Sequence, residues 1–394
     1  LLVFFYFVIY PKNMQTFNKT MSTSVAVQKC DEYEFSSVYQ RVKKLLELVP
    51  PPDVKGKTVL LKPNILYPKK VEDAVCTHPV VVGACVKAFV ELGAKEVLVG
   101  ESPAIANSTN AAKSIGLYDI VEQNGGKWAD FNGSLIVPCP EGKIVKQFSF
   151  ATAFEKADIV VSLSKLKTHQ FMSYTGAMKN LFGLMVGLDK AQSHYRFPKK
   201  EDFGAFLTDL NICAKPCYAV MDAIVGMEGP GGPGSGDPVK LGFLASSDNI
   251  LALDWFCAEI VGYNPYEVVN LKDALERKIW LENPEQIKVL GESIEEIREQ
   301  TRNFKIVKEP SQTLGKMLPG WLDFLATKIL TRNVHFKQSK CLKCQRCKQI
   351  CPAQIIKMTG KNGTAQLSDA TKCLHCFCCH EICPADAIKL RRFF

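Results

Sequence analysis

Residues 340–358 read KCLKCQRCKQICPAQIIKM, and residues 372–390 read KCLHCFCCHEICPADAIKL. Cys341, Cys344, Cys347 and Cys351 lead to Pro352, and Cys373, Cys376, Cys379 and Cys383 lead to Pro384, so each run has the spacing C-x2-C-x2-C-x3-C-P. Two intervening residues let a tight loop set successive thiolates on neighbouring corners of an iron–sulfur cube, while the loop's backbone N–H groups turn inward to the sulfurs. Three corners fill from one loop. The fourth Cys lies beyond the loop and before a proline that directs the chain away, so it reaches the other cube. Cys341, Cys344, Cys347 and Cys383 are therefore expected around one [4Fe–4S] cluster, and Cys373, Cys376, Cys379 and Cys351 around a second. Zinc would want four ligands closed within one unit, and neither zinc nor a disulfide framework gives the C-x3-C-P ending a reason.

This is the spacing of bacterial-type ferredoxins, and the repetition of the flanking residues predicts a pseudo-symmetric module over 337–394. Each half should hold a short strand, a cluster loop and a helical turn. Cys378 lies off the ligand spacing and is expected to pack beside a cluster without binding it.

A chain of 394 residues with 47% hydrophobic composition is long enough for two or three domains around sizeable cores. Half of its sixteen Cys are the expected ligands, and the other eight are scattered without the pattern of a secreted domain, which points to a reducing cytoplasm. From Lys337 onward there are eleven Lys or Arg against Asp369, Glu381 and Asp386, a net +8 out of the chain's +9. Such a module partly compensates the negative charge of thiolate-held clusters and suits an acidic partner. Nucleic acid is the other usual partner of a basic stretch, but no basic motif interleaved with aromatics is present.

The opening LLVFFYFVIY is too short to span a bilayer and lacks a basic start or an A-x-A site. Because Met14 and Met21 follow it, residues 1–23 are read as a disordered or mis-started terminus, with no membrane anchor. From Ser24, short apolar strands alternate with amphipathic helices: SVAVQKC, then SSVYQRVKKLLELV stopped by three prolines, TVLLKPNIL, VVVGACVKAFVELG and EVLVGES. A helix around AAKSIGLYDIVEQNG, a β-rich stretch from Trp128 to Ser149 and a buried strand ADIVVSLSK continue the pattern. The order argues for an α/β fold, a mostly parallel sheet covered by helices, over 24–308. Residues 309–336 read as a linker and a docking helix, WLDFLATKIL.

In open α/β sheets the chemistry collects at the carboxyl ends of the strands. Those ends carry Lys62 and Asn64, then Glu101, then Lys165, Lys167 and His169, then Glu228, with Asp222 inside the last strand and His78 on a connection. Thr175-Gly176-Ala177 can open a helix whose free N–H groups would accept a carboxylate or phosphate, with Lys179 and Asn180 beside it. Asp248 is expected to cap the helix that carries Asp254. The glycine-rich stretch 226–236 matches neither a P-loop nor a dinucleotide fingerprint, which argues against NAD, and reads as a wall or lid of the site.

The body resembles the family catalogued as domain of unknown function 362, whose members often end in a ferredoxin. The resemblance rests on LKPN at 61–64, THP at 77–79, GES at 100–102, KLKTH at 165–169, TGAMKNLFG at 175–183, GMEGPGGPG at 226–234 and SDNILALD at 247–254. It implies an iron–sulfur, oxidoreductase-like protein and gives no substrate. The reading that joins both parts is a redox enzyme relaying single electrons between two clusters and a small anionic substrate. Lys165, Lys167, His169, Glu101 and Glu228 are its expected catalytic residues. Lys62, Asn64, His78, Lys179, Asn180 and Asp222 are expected to bind the substrate. A non-catalytic electron carrier whose body recognises partners, and a non-redox enzyme with structural clusters, are the alternatives.

Overall fold

The structure, a computed structural model, describes residues 23–67, 69–103, 105–307 and 332–391. The readings of residues 1–22 as a mis-started terminus and of 321–330 as a docking helix lie outside the described residues. The body is one sheet built from Ser24–Lys29 (β1), Thr58–Pro63 (β2), Glu96–Val99 (β3), Lys127–Trp128 (β4), Ile159–His169 (β7), Ser173–Thr175 (β8), Tyr218–Glu228 (β9), Asp237–Ser247 (β10) and Lys288–Gly291 (β11), with Ser134–Pro138 (β5) and Gln147–Ala151 (β6) as a separate hairpin. The order across the sheet is β11-β1-β10-β9-β7-β2-β3-β4, with β8 folded back on β7.

From β9 through β7, β2 and β3 to β4 every pairing is parallel, whereas β10 runs antiparallel to both β9 and β1. The sheet is thus mixed but largely parallel, as the strand–helix alternation implied. Every residue of β7 is buried, the condition of a central parallel strand covered on both faces. Alternation sends Val161 and Leu163 to one face, against the helices Phe35–Leu48 and Pro79–Glu91, and Val160 and Leu166 to the other, against Lys200–Ala214 and Ile250–Ile260. Each fully buried Val or Leu here contributes about 1.5–3 kcal/mol.

Three local expectations change. The stretch expected as one helix around residues 111–125 is two, Ser108–Ser114 and Leu117–Gln123, because Gly116 enters the second at φ 72°. Asn249, not Asp248, caps Ile250–Ile260, its side chain accepting from the Ala252 N–H. Strand β7 does not end with Lys165, the last residue of the expected ADIVVSLSK, but runs on to His169. The returning β8 pairs Lys167 with Thr175 and His169 with Ser173, and so satisfies the backbone of a polar strand end.

The chain runs from β2 outward through β3 and β4, returns to β7, and then builds the other side of the sheet. Such a reversal is where open α/β sheets form their crevice, here beyond the carboxyl ends of β2 and β7, and it is the place where the polar residues converge.

The carboxyl-terminal module is intertwined. Asn333–Phe336 pairs antiparallel with Ile388–Arg391, and Ile356–Lys357 with Gln366–Leu367, so the first strand of one half is closed by the last strand of the other. Left-handed backbone recurs at matched places in the two repeats, at Lys343 and His375, Gln345 and Phe377, and Gln354 and Asp386.

Candidate functional site

Strand β2 delivers Lys62, which is fully buried, to the crevice. Its Nζ pairs with the Glu101 carboxylate from the end of β3 and donates to Asn180 Oδ1 at 3.2 Å and to the Pro63 carbonyl at 2.9 Å. Asn180 is held in turn, its Nδ2 donating to the Lys62 carbonyl (2.8 Å) and to Ser162 Oγ (3.0 Å). Burial pulls the Lys62 pKa down and the Glu101 charge draws it back part-way. A Cβ on Gly183 would collide with both side chains of the pair, so this glycine is what lets the backbone cover it.

Strand β7 supplies three side chains at period two. Lys165 Nζ donates to Asp222 Oδ2 at 2.9 Å and meets Tyr33 Oη at 2.8 Å. Asp222 also accepts from Tyr33 Oη (2.9 Å) and from the His78 N–H (3.0 Å), and the His78 ring lies flat on Tyr33 with centroids 3.5 Å apart. His78 is therefore a helix-capping and stacking residue whose Nδ1 accepts from the Val80 N–H; burial lowers its pKa to about 4, so the ring is neutral.

Lys167 Nζ donates to Asn64 Oδ1 at 2.6 Å and to the Val75 carbonyl at 2.7 Å, with no carboxylate in direct contact among the described residues. Burial, reinforced by the neighbouring Lys179 and Lys165, pulls its pKa down to about 7. His169 Nδ1 accepts from the N–H groups of Phe171 (3.0 Å) and Met172 (3.2 Å), which puts the ring proton on Nε2. Burial holds this ring neutral as well.

The helix start expected to offer free N–H groups is already filled. Asp254 Oδ1 accepts from Ala177 (2.6 Å) and Oδ2 from Met178 (2.8 Å). The carboxylate that the motif invites is thus internal, and Ala177–Asn180 is only four residues long. Its contribution is to aim Asn180 and Lys179. Glu228 also departs from the cluster: its carboxylate accepts from the Lys305 N–H at 2.8 Å and faces Lys305 Nζ at 3.2 Å.

The glycine-rich stretch is a packed wall. Thr168 Oγ1 donates to the Gly229 carbonyl (2.8 Å) and Tyr67 Oη to the Gly234 carbonyl (2.9 Å). A Cβ on Gly232 would strike the backbone of Thr168, and one on Gly234 would stand 2.7 Å from the Glu381 carbonyl oxygen. The loop is therefore pressed between the end of β7 and the carboxyl-terminal module.

The site holds two residues that reading the chain did not place in it, the first brought in by that contact. Glu381, from the module's short helix Cys378–Glu381, lies with Oε1 3.5 Å from His169 Nε2, and Lys179 and Lys167 are the cations that act on it. Its Oε1 is buried without a hydrogen bond. Lys190 donates to the Ser102 and Met185 carbonyls, and burial lowers its pKa to about 8. Lys179 has no hydrogen-bond acceptor among the described residues, and burial lowers its pKa too. Five lysines thus share one crevice with three carboxylates, an excess of positive charge in a place that already costs several kcal/mol per buried ion. Nothing local in the sequence around Glu381 signals this; it follows from how the module docks.

In the module, one cavity is lined by Cys341, Cys344, Cys347 and Cys383, and the other by Cys351, Cys373, Cys376 and Cys379. The fold brings together the two sets of four that the spacing predicts, and the strand exchange between halves is what carries Cys351 and Cys383 across. Among the described residues no group of three or more His, Cys, Asp or Glu is spaced to hold a single metal ion. The residues between the cysteines include left-handed ones, Lys343 and Gln345 in one loop and His375 and Phe377 in the other, a backbone conformation that can gather successive N–H groups on one side and so fits a negatively charged cluster. Cys378 packs with the body core and beside the ligand Cys376, whose carbonyl its Sγ faces at 4.0 Å.

Comparison with known proteins follows the same division. The family described as "Domain of unknown function (DUF362)" matches residues 59–259, just over half of the chain, and a 4Fe-4S dicluster domain matches 333–384. The thylakoid-associated protein sll1697 of Synechocystis sp. is 31% identical over 261 residues, 62% of this chain and 76% of that protein. Among solved structures, the lactate racemase apoprotein of Thermoanaerobacterium thermosaccharolyticum aligns with TM-score 0.38 at 14% identity over 66% of this chain. A structural-genomics protein of Thermotoga maritima aligns with TM-score 0.34 at 13% identity over 64%. The chain spans 62% and 61% of those two structures. No helix among the described residues is long and apolar enough to cross a membrane.

Proposed function

The chain belongs to the DUF362 family and carries an iron–sulfur dicluster domain, and from that premise we propose an oxidoreductase in which two [4Fe–4S] clusters relay single electrons to or from a small anionic substrate in the crevice beyond β2 and β7. The observation that carries this reading is Glu381. It stands two residues from both Cys379 and Cys383, yet its carboxylate lies among Lys167, Lys179 and His169. The cluster module and the crevice thus share a wall, and the distance an electron must cover between them is short.

When bound, the clusters supply one-electron transfer. The chain's own residues do the rest. Lys179 and Lys167 bind the anion: like Lys190 they have no carboxylate in direct contact among the described residues, and they are the two cations that act on Glu381 where the module meets the crevice. Lys62 and Lys165 keep Glu101 and Asp222 in place and set the positive field. His169 presents an Nε2–H as a donor, its Nδ1 being occupied. Lys167, whose pKa burial brings to about 7, moves a proton at its Nζ; Glu101, closed in its pair with Lys62, and Glu228, turned to Lys305, take no part. The glycine-rich wall and the module exclude water. The cysteines are all unpaired, which suits a reducing compartment such as the cytoplasm.

The test is an anaerobic redox titration of the purified protein with and without small dicarboxylates, followed by turnover with the hits. A carboxylate that shifts the cluster potential, and whose effect disappears in Lys167→Met and Lys179→Met while iron content is kept, supports the reading. Potentials indifferent to every anion, with partner reduction intact in both variants, would instead favour an electron carrier.

A further inference from the structure

The two halves of the module are related by sequence and by backbone, yet their cluster loops face different surroundings. In the second half, the positions that follow the repeat are Phe377, Cys378 and His380, exposed by 8%, 7% and 3%. In the first half the same positions hold Gln345, Arg346 and Lys348. Cys376, Cys379 and Ile382 pack against the body core, whereas Cys344 is exposed and Leu342 stands 68% exposed. The Cys373 loop, half-buried over residues 373–376, packs against the body, and the Cys341 loop, exposed over residues 342–345, faces solvent.

The charges divide the same way. Lys340, Lys343 and Lys348 are exposed, and neither they nor Arg346 have an acidic partner among the described residues. Lys372, the counterpart of Lys340, lies 3.6 Å from Asp369, and Lys389 pairs with Asp386. An exposed Leu within a rim of unpaired cations, over a half-exposed thiolate set, is the layout of a transient electron-transfer contact: a small apolar centre with a charged rim that steers encounter.

We propose that the Cys341 loop is the port at which an acidic one-electron carrier protein docks, with the Cys341, Cys344, Cys347 and Cys383 site as entry and the Cys373 site as the step to the crevice. This rests on the relay reading above. One electron leaves the reduced carrier, which is oxidised, and enters the cluster at the port; no bond forms or breaks and no proton is required at the docking surface.

The test uses the anaerobically prepared full chain with its clusters, and flavodoxin hydroquinone as the carrier. Lys343→Glu/Arg346→Glu should lower the second-order rate of cluster reduction by about tenfold or more at low salt and flatten its salt dependence. Binding of oxidised flavodoxin, measured by calorimetry, should weaken in parallel, while iron content and reduction by dithionite stay unchanged. Lys372→Glu, an exposed cation on the half that packs against the body, should react like the native chain. Equal rates for the double variant and the native chain, or an equal loss in Lys372→Glu, would overturn the proposal. So would self-association of the chain that the same reversal abolishes, since the face would then belong to a second copy. Failure of flavodoxin alone, with dithionite still reducing the clusters, removes the port and leaves the relay; failure of both removes the relay.

Discussion

Replacing Lys62 by Met separates a closed internal ion pair from a substrate-binding lysine. The native side chain is 0% exposed and its partner Glu101 is 3% exposed, so neither charge can recover water when the other is lost. Breaking a buried pair by removing one partner costs about 3–5 kcal/mol. Glu101 would keep the Ser102 N–H at 2.9 Å and a weaker contact from the Ile65 N–H at 3.4 Å, which trims the loss, while Asn180 would lose a donor, which adds to it. The expected destabilisation is about 3–4 kcal/mol at pH 7. Urea unfolding under anaerobic conditions, followed by tryptophan fluorescence, measures it. The double variant Lys62→Met/Glu101→Leu leaves no orphan charge and should recover most of the loss, to within about 2 kcal/mol of the native chain. A single variant within about 1 kcal/mol of native, or a double variant no better than the single, would refute the reasoning. Lys62 would then be an open lysine, and anion affinity would be the property to suffer.

Other perturbations probe the rest of the site. Gly176→Ala forces a Cβ onto Asp254, whose oxygens cap Ala177–Asn180; a loss of about 2–4 kcal/mol in the same unfolding assay is expected. Binding of a dicarboxylate such as oxalate should favour the charged form of Lys167, whose pKa lies at about 7. Above that pH binding takes up a proton, so affinity should fall by up to about tenfold per pH unit, and calorimetry in buffers of different ionisation enthalpy should show the uptake. Lys167→Met should remove it, and a flat profile in the native chain would contradict the assignment. Cys351→Ser should perturb the cluster beside the body and Cys383→Ser the outer one, each seen as loss of one component of the reduced paramagnetic spectrum. Cys378→Ser should leave iron content unchanged. Loss of the same component in both ligand variants would contradict the exchange of fourth ligands.

The layered architecture was legible because short β-branched apolar runs such as IVVSLS at 159–164, alternating with amphipathic helices, read as central parallel strands whose polar successors fall at the strand ends. The partition of eight thiols was legible because ligand spacing is a local property of a loop. What escaped was set by contacts distant in sequence. Asp254 answers a helix start 77 residues away, and Glu381 enters the lysine cluster only through docking of the module. Glu228 looked like its neighbours along the sheet edge but is claimed by Lys305, which no local pattern announces. The extension of β7 to His169 depended on β8 folding back, a pairing that a polar KLKTH sequence does not advertise.

The central claim is that the eight cysteines hold two [4Fe–4S] clusters, and anaerobic purification followed by iron and acid-labile sulfide analysis with paramagnetic resonance tests it most directly. The account predicts about eight iron and eight sulfide per chain, and two reduced centres close enough to couple magnetically after dithionite. Colourless protein containing zinc, or about four iron giving a single uncoupled signal, would contradict it.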